Sequence, residues 1–118
     1  MRRGDICVLE LDPARGTEAR KTRPAVIVSN DGANTTATRL GRGVVTVVPL
    51  TSNVERIYPF QVLLPANDTG LATDSKAQAE QVRSVDVERV QRRVGSVPPD
   101  LMSQLDDAVR LHLALRAR

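Results

Sequence analysis

The stretch Thr22-Arg23-Pro24-Ala25-Val26-Ile27-Val28-Ser29-Asn30 constrains this chain more than any other. Val26-Ile27-Val28 has the β-branched content of a buried strand. Proline locks its own φ, pushes the residue before it toward extended backbone and has no N–H to give a sheet. Pro24 therefore belongs at the first position of the strand or on an edge, with Arg23 carried on stiff backbone at its mouth. A cation held at the rim of a rigid sheet is a natural anion site. An arginine can equally end a strand at the surface, and the local sequence leaves both readings open.

Other segments arrange themselves around that strand. Ile6-Cys7-Val8-Leu9-Glu10-Leu11 reads as a first strand ended by Asp12-Pro13, with a polar loop from Asp12 to Thr22. Asp31 to Gly43, rich in Asn, Thr and Gly, reads as a second loop. Its Gly41-Arg42-Gly43 lacks the strand-to-helix context that a nucleotide-binding glycine motif needs. Val44-Val45-Thr46-Val47-Val48 is the clearest strand, with Pro49 as its terminator. Gln61-Val62-Leu63-Leu64 is a shorter one between Pro59 and Pro65, followed by a turn region from Ala66 to Asp74. From Ser75 to Gly95 local propensity favours a helix, since Ala77 to Gln81 are not strand formers and Val82, Val85, Val90 and Val94 fit helical spacing. Pro98-Pro99-Asp100 opens a final helix, whose stripe Leu101, Leu105, Val109 and Leu113 is widened by Met102, Ala108 and His112. That helix packs on the sheet, on a second subunit, or on both.

At 118 residues the chain is expected to form one domain over 1–118, with a core that needs no disulfide. Cys7, the only cysteine, reads as a small core residue. Tyr58 and Phe60 are the only aromatics, so the core must be built from Val, Leu, Ile and Ala, and rows of stacking aromatics are excluded. The net charge is +3, and 15 of the 17 basic residues are arginine, the better group for bidentate phosphate recognition. No apolar run approaches a membrane span and no leader-like segment opens the chain, so a soluble cytoplasmic protein is expected, without membrane association.

The chemistry narrows by exclusion. His112 is the sole histidine, on a late helix, so a mechanism with two histidines in one chain is ruled out and a Ser-His-Asp triad lacks support. One Cys and one His cannot make a zinc site of ordinary ligand count. Arginine and hydroxyl chemistry remains. Arg23 opens one strand, while Thr51-Ser52 follow the end of another, and in a small barrel these can meet at one rim and offer a guanidinium and a hydroxyl to one phosphate.

In order and spacing the chain resembles the MazF/PemK toxins of bacterial toxin–antitoxin systems over nearly its whole length. The matching motifs are Arg3-Gly4-Asp5-Ile6, Leu11-Asp12-Pro13, Gly16-Thr17-Glu18, Lys21-Thr22-Arg23-Pro24-Ala25-Val26-Ile27-Val28-Ser29-Asn30-Asp31 and Val48-Pro49-Leu50-Thr51-Ser52. They continue with Glu80-Gln81-Val82-Arg83-Ser84-Val85-Asp86, Arg89, Gly95 and the terminal helix. The resemblance implies a mainly β fold, an SH3-like small barrel with a C-terminal α-helix, paired as a homodimer. Against local propensity, it also implies a strand over Ala77 to Arg83 and a short helix near Asp86 to Val90.

The implied activity is metal-independent, cofactor-free endoribonuclease cleavage of single-stranded RNA (messenger, ribosomal or transfer). The ribose 2′-OH attacks the adjacent phosphorus and leaves a 2′,3′-cyclic phosphate and a 5′-OH. Arg23 and Thr51 match the catalytic arginine and threonine. Thr17, Glu18, Ser52 and Gln81 are the implied RNA contacts, with Glu18 a candidate base for the 2′-OH. The implied partner is a cognate acidic antitoxin laid across the basic groove. One departure is Thr22, where some relatives carry histidine, so no base can be borrowed there. The loops Asp31 to Gly43 and Ser52 to Tyr58 are expected to set base preference. Two alternatives are a gyrase poison of the same barrel class and a relative that binds RNA without cutting it. The first presents a C-terminal tryptophan, and this chain has no Trp.

Overall fold

A computed structural model describes residues 1–12 and 21–116. Among these residues seven strands and three α-helices follow one another as β1 (Asp5–Asp12), β2 (Lys21–Ile27), α1 (Asp31–Leu40), β3 (Val44–Thr51), β4 (Gln61–Leu64), the single-turn α2 (Ala66–Thr69), β5 (Ser75–Gln78), β6 (Arg83–Asp86), β7 (Val90–Ser96) and α3 (Pro99–Leu113). Short 3-10 turns occupy Ala79–Gln81 and Val87–Arg89. The strands form one antiparallel sheet in the order β4-β5-β3-β2-β1-β7, with β6 also paired to β3. Register shifts in β1, against β2 between Glu10 and Asp12 and against β7 on either side of Cys7, bend the sheet. The mainly β fold with a C-terminal helix agrees with expectation.

Both faces of this sheet are covered, which is why its central strands are continuous apolar runs rather than alternating ones. On one face Ile6, Val26, Val48 and Leu50 pack with Leu64 and with Leu101, Met102, Leu105 and Ala108 of α3. On the other, Cys7, Leu9, Ala25, Ile27, Val45 and Val47 pack with Val85 and with Ala37 of α1. Alternation along each strand splits its residues between the two cores. Cys7 is a buried core residue as expected, and burial followed by the nearby Asp5 carboxylate raises its thiol pKa. His112 is exposed on the last turn of α3.

The segment expected to be a loop from Asp31 to Gly43 is largely helix α1. Asn30 caps it by accepting from the Ala33 N–H at 2.8 Å, Asp31 sits in the first turn, and Gly41 ends it in the left-handed region. Its buried face is only Asn34 and Ala37, so there is no apolar period to read. Asn34 is satisfied by its Nδ2 donating to Ser29 O at 2.9 Å. Pro49 does not terminate β3, because it lies opposite Ala25 at a position where the ladder asks for no N–H from it.

Over 75–95 the chain is not a long helix. The strand expected over Ala77 to Arg83 is divided by the 3-10 turn Ala79–Gln81 into β5 and β6. The expected short helix is the 3-10 turn Val87–Arg89, where the Asp86 side chain accepts from the Glu88 N–H at 3.0 Å. Strand β7 stands where neither local propensity nor the resemblance places a strand. Among the described residues no helix is long and apolar enough to cross a membrane.

Candidate active site

The site forms where two neighbouring strands part company. β2 and β3 hold Ile27 opposite Val47, Val26 opposite Val48 and Ala25 opposite Pro49. The Val28 N–H donates to Thr46 O at 2.9 Å. Bonded pairs alternate along an antiparallel ladder, so the following ones fall at Val26–Val48 and Pro24–Leu50. Pro24 has no N–H, and the ladder stops there. Beyond that point β3 pairs with β5, Leu50 opposite Ala77 and Thr51 opposite Lys76. β2 stays with β1, Pro24 opposite Val8 and Arg23 opposite Leu9. Continued by two residues, the old register would set Arg23 opposite Thr51. The strands diverge instead and leave a cleft of about 590 Å³ between them.

Arg23, Thr51 and Ser52 all line this cleft, over apolar walls that include Val8, Leu50 and Val94. Arg23 is exposed, and its guanidinium has no hydrogen-bond or ion-pair partner among the described residues. Thr51 is half-buried, and its Oγ1 accepts from the Asn53 N–H at 3.3 Å. That bond uses a lone pair and leaves the hydroxyl proton free to be donated into the cleft. A permanent cation and a donor hydroxyl converging on one space are suited to holding a tetrahedral or trigonal-bipyramidal phosphoryl group.

The remaining expected residues fall elsewhere. Gln81 is exposed on the 3-10 turn after β5 and does not line the cleft. Thr17 and Glu18 lie outside the described residues. Residues 70–73, where the sequence predicts only a turn region, form a further wall of the cleft. Its cause is long-range: a Cβ on Gly95 of β7 would stand 2.3 Å from Thr69 O, so only glycine lets α2 and the segment after it come this close. Gly95, at the end of the segment whose local propensity favours a helix, is the one signal in the sequence for this approach. Among the described residues no group of three His, Cys, Asp or Glu side chains could hold a metal ion.

Residues 2–113 match the family described as PemK-like, MazF-like toxin of type II toxin-antitoxin system. Endoribonuclease MazF9 of Mycobacterium tuberculosis (strain ATCC 25618 / H37Rv) is 63% identical over 115 residues, covering 98% of this chain and 98% of the relative. Among solved structures, MazE-MazF (Form-II) from Deinococcus radiodurans aligns with a TM-score of 0.78 at 25% identity, over 98% of this chain and 97% of that one. An endoribonuclease in complex with its cognate antitoxin, from Mycobacterial species, aligns with a TM-score of 0.77 at 22% identity, over 100% of this chain and 99% of that one, a likeness of fold alone. Matched along nearly its entire length, the chain belongs to the PemK-like, MazF-like toxins of type II toxin–antitoxin systems.

Proposed function

We propose that this toxin is an endoribonuclease that cuts single-stranded RNA in the cleft between Arg23 and Thr51. The observation that carries the reading is the parting of β2 and β3, which puts on one cavity a guanidinium without a partner among the described residues and a hydroxyl that donates to none of them. The substrate supplies its own nucleophile. The 2′-oxygen bonds to phosphorus as its proton leaves, and the bond from phosphorus to the 5′-oxygen breaks as that oxygen takes a proton from solvent water. The products are a 2′,3′-cyclic phosphate and a 5′-OH.

The protein holds the chain in line and stabilises charge on the phosphoryl oxygens. Arg23 binds those oxygens, and a guanidinium, charged at any working pH, serves for electrostatic stabilisation better than for proton donation. Thr51 donates its hydroxyl hydrogen to a phosphoryl oxygen, and Ser52 and Thr17 contact the adjoining RNA. Glu18 takes the 2′-OH proton. Gln81 touches RNA only beyond the cleft.

The partners follow from the same surface. An acidic antitoxin segment competes with RNA for the cleft that Arg23 lines. A second copy of the chain covers the far end of α3, where Leu111, Leu113 and Leu115 are all exposed. The alternative of a binder that does not cut keeps the same cleft but yields no product.

The test is incubation of the purified protein with a long single-stranded RNA in EDTA, followed by end analysis. Cyclic-phosphate and 5′-OH ends are expected, with cleavage reduced about a hundredfold in Arg23→Ala and in Thr51→Ala. Binding without cleavage would establish the second reading, and full cleavage by both variants would move the active site elsewhere.

A further inference from the structure

Lysine is among the residues least often buried, yet Lys76 of β5 is only 8% exposed. It stands opposite Thr51 in one ladder and opposite Leu63 in the other. Residues directly opposite share a face, so the Lys76 and Thr51 side chains leave the sheet on the same side, although Lys76 does not itself line the cleft. The ammonium donates to Arg56 O at 2.7 Å and lies 5.8 Å from the centroid of the Tyr58 ring. It has no carboxylate partner among the described residues. Burying a cation against one carbonyl and one ring costs free energy that an apolar chain of the same length would not. The fold as a whole gains little from this charge, and its role lies in what it holds.

What it holds is the chain that leaves Thr51. Among the described residues, Lys76 supplies the one hydrogen bond that ties 52–57 to a strand other than β3. The remaining bonds of this arc are local. Thr51 Oγ1 accepts from the Asn53 N–H at 3.3 Å, and Asn53 Oδ1 accepts from the Glu55 N–H at 3.3 Å. An exposed arc bonded only to itself opens readily. Lys76 closes it at both ends, as the register partner of Thr51 and through the carbonyl of Arg56.

We propose that Lys76 is a positioning residue for the Thr51 hydroxyl. By closing the arc from Thr51 to Arg56 it keeps the Asn53 N–H on Oγ1, and that bond turns the hydroxyl hydrogen toward the cleft. The proposal rests on the endoribonuclease reading and adds to it the group that orients one of its two phosphate-binding side chains.

Lys76→Met keeps the stem and removes the ammonium. Its melting temperature should equal or exceed that of the wild type. Amide hydrogen exchange over 52–57 should quicken about tenfold, with exchange in β1 and β2 unchanged. Single-turnover cleavage at saturating RNA should slow about tenfold, at unchanged affinity for a pool of 2′-fluoro RNA twelve-mers, which cannot supply the attacking hydroxyl. Placed on Thr51→Ala, the same substitution should alter the rate by less than about twofold, because the group it orients is gone. Wild-type exchange over 52–57 overturns the clamp, whatever the activity. Wild-type cleavage by a variant whose arc has loosened, or a tenfold loss that persists on Thr51→Ala, overturns the link to Thr51 and leaves the nuclease reading intact. A loss confined to affinity overturns the proposal in favour of a direct RNA contact, and a variant that melts well below the wild type overturns it in favour of a purely structural cation. Wild-type protein that cleaves no long RNA overturns the parent reading and the role of Thr51 with it.

Discussion

Two arginines in this molecule have opposite surroundings. Arg3, at the start of β1, is fully engaged: its Nε donates to Val28 O at 3.0 Å, its guanidinium pairs with Asp106 of α3, and its backbone N–H donates to Asp31 Oδ1 at 2.7 Å. Those bonds tie β1 to the end of β2, to the first turn of α1 and to α3. Arg23, at the other end of β2, has no such partner among the described residues. One cation closes the fold with the protein's own acceptors, and the other lines the cleft with no acceptor among the described residues. The difference comes from the local backbone. Arg3 lies where several elements converge, whereas Arg23 lies where Pro24 ends a ladder and two strands separate.

If that contrast is sound, the two sites respond to truncation in opposite ways. Arg23→Ala should slow single-turnover cleavage about a hundredfold, equivalent to about 3 kcal/mol of lost transition-state stabilisation. Its melting temperature should barely move, as for most exposed surface changes. A destabilised Arg23→Ala would break the comparison by giving the arginine a structural role.

Gly95→Ala probes the link between fold and cleft. The new methyl would meet Thr69 O at 2.3 Å, and overpacking of this kind costs about 1–3 kcal/mol. Because Gly70 follows Thr69 and begins the cleft wall, denaturant melts should show lost stability and cleavage by the folded fraction should fall too. An unaffected rate would mean that the wall does not shape the site.

Arg3→Ala should lower stability by about 1 kcal/mol through loss of a charged hydrogen bond and a partly exposed ion pair. Cleavage per folded molecule should be unchanged, and a fall in it would erase the distinction between the two arginines.

The smallest effect concerns Asp31. The hydrogen bond from the Arg3 N–H, opposed by desolvation and aided by Asn34, Arg2 and Arg3, lowers its pKa. A depressed carboxylate pKa means that the folded state binds fewer protons than the unfolded one in the interval between the two pKa values. The resulting stability is present above the ordinary aspartate value of about 3.9 and is lost as pH falls through the folded one. The melting-temperature gap between wild type and Asp31→Asn should therefore be flat at neutral pH and close in acid. A gap that is independent of pH down to full protonation would show that the charge contributes nothing.

Legibility in the sequence followed the kind of interaction involved. The strands at Ile6, Val26 and Val44 were readable because a two-sided sheet demands unbroken β-branched runs, and α3 was readable from its four-residue stripe. α1 was not, since a helix burying Asn34 and Ala37 writes no apolar period. Local preference pointed to helix over 75–95 because Ala, Gln and Glu favour it. Pairing of β5 with β4, of β6 with β3 and of β7 with β1 overrode that preference, and only family resemblance anticipated part of this outcome. At the site, Arg23 and Thr51 were each nameable beforehand. Their meeting at the parted ends of β2 and β3 and the wall at 70–73 depend on partners distant in sequence, so local reading could not supply them.

The central claim is that Arg23 and Thr51 act on one phosphoryl group as a unit. The direct measurement is a double-mutant cycle of single-turnover cleavage rates for wild type, Arg23→Ala, Thr51→Ala and the double variant. Groups that share one transition-state contact are strongly non-additive, so the double variant should be little slower than either single one, about a hundredfold below wild type. Losses that multiply to about ten-thousandfold would show two independent contributions and contradict the account.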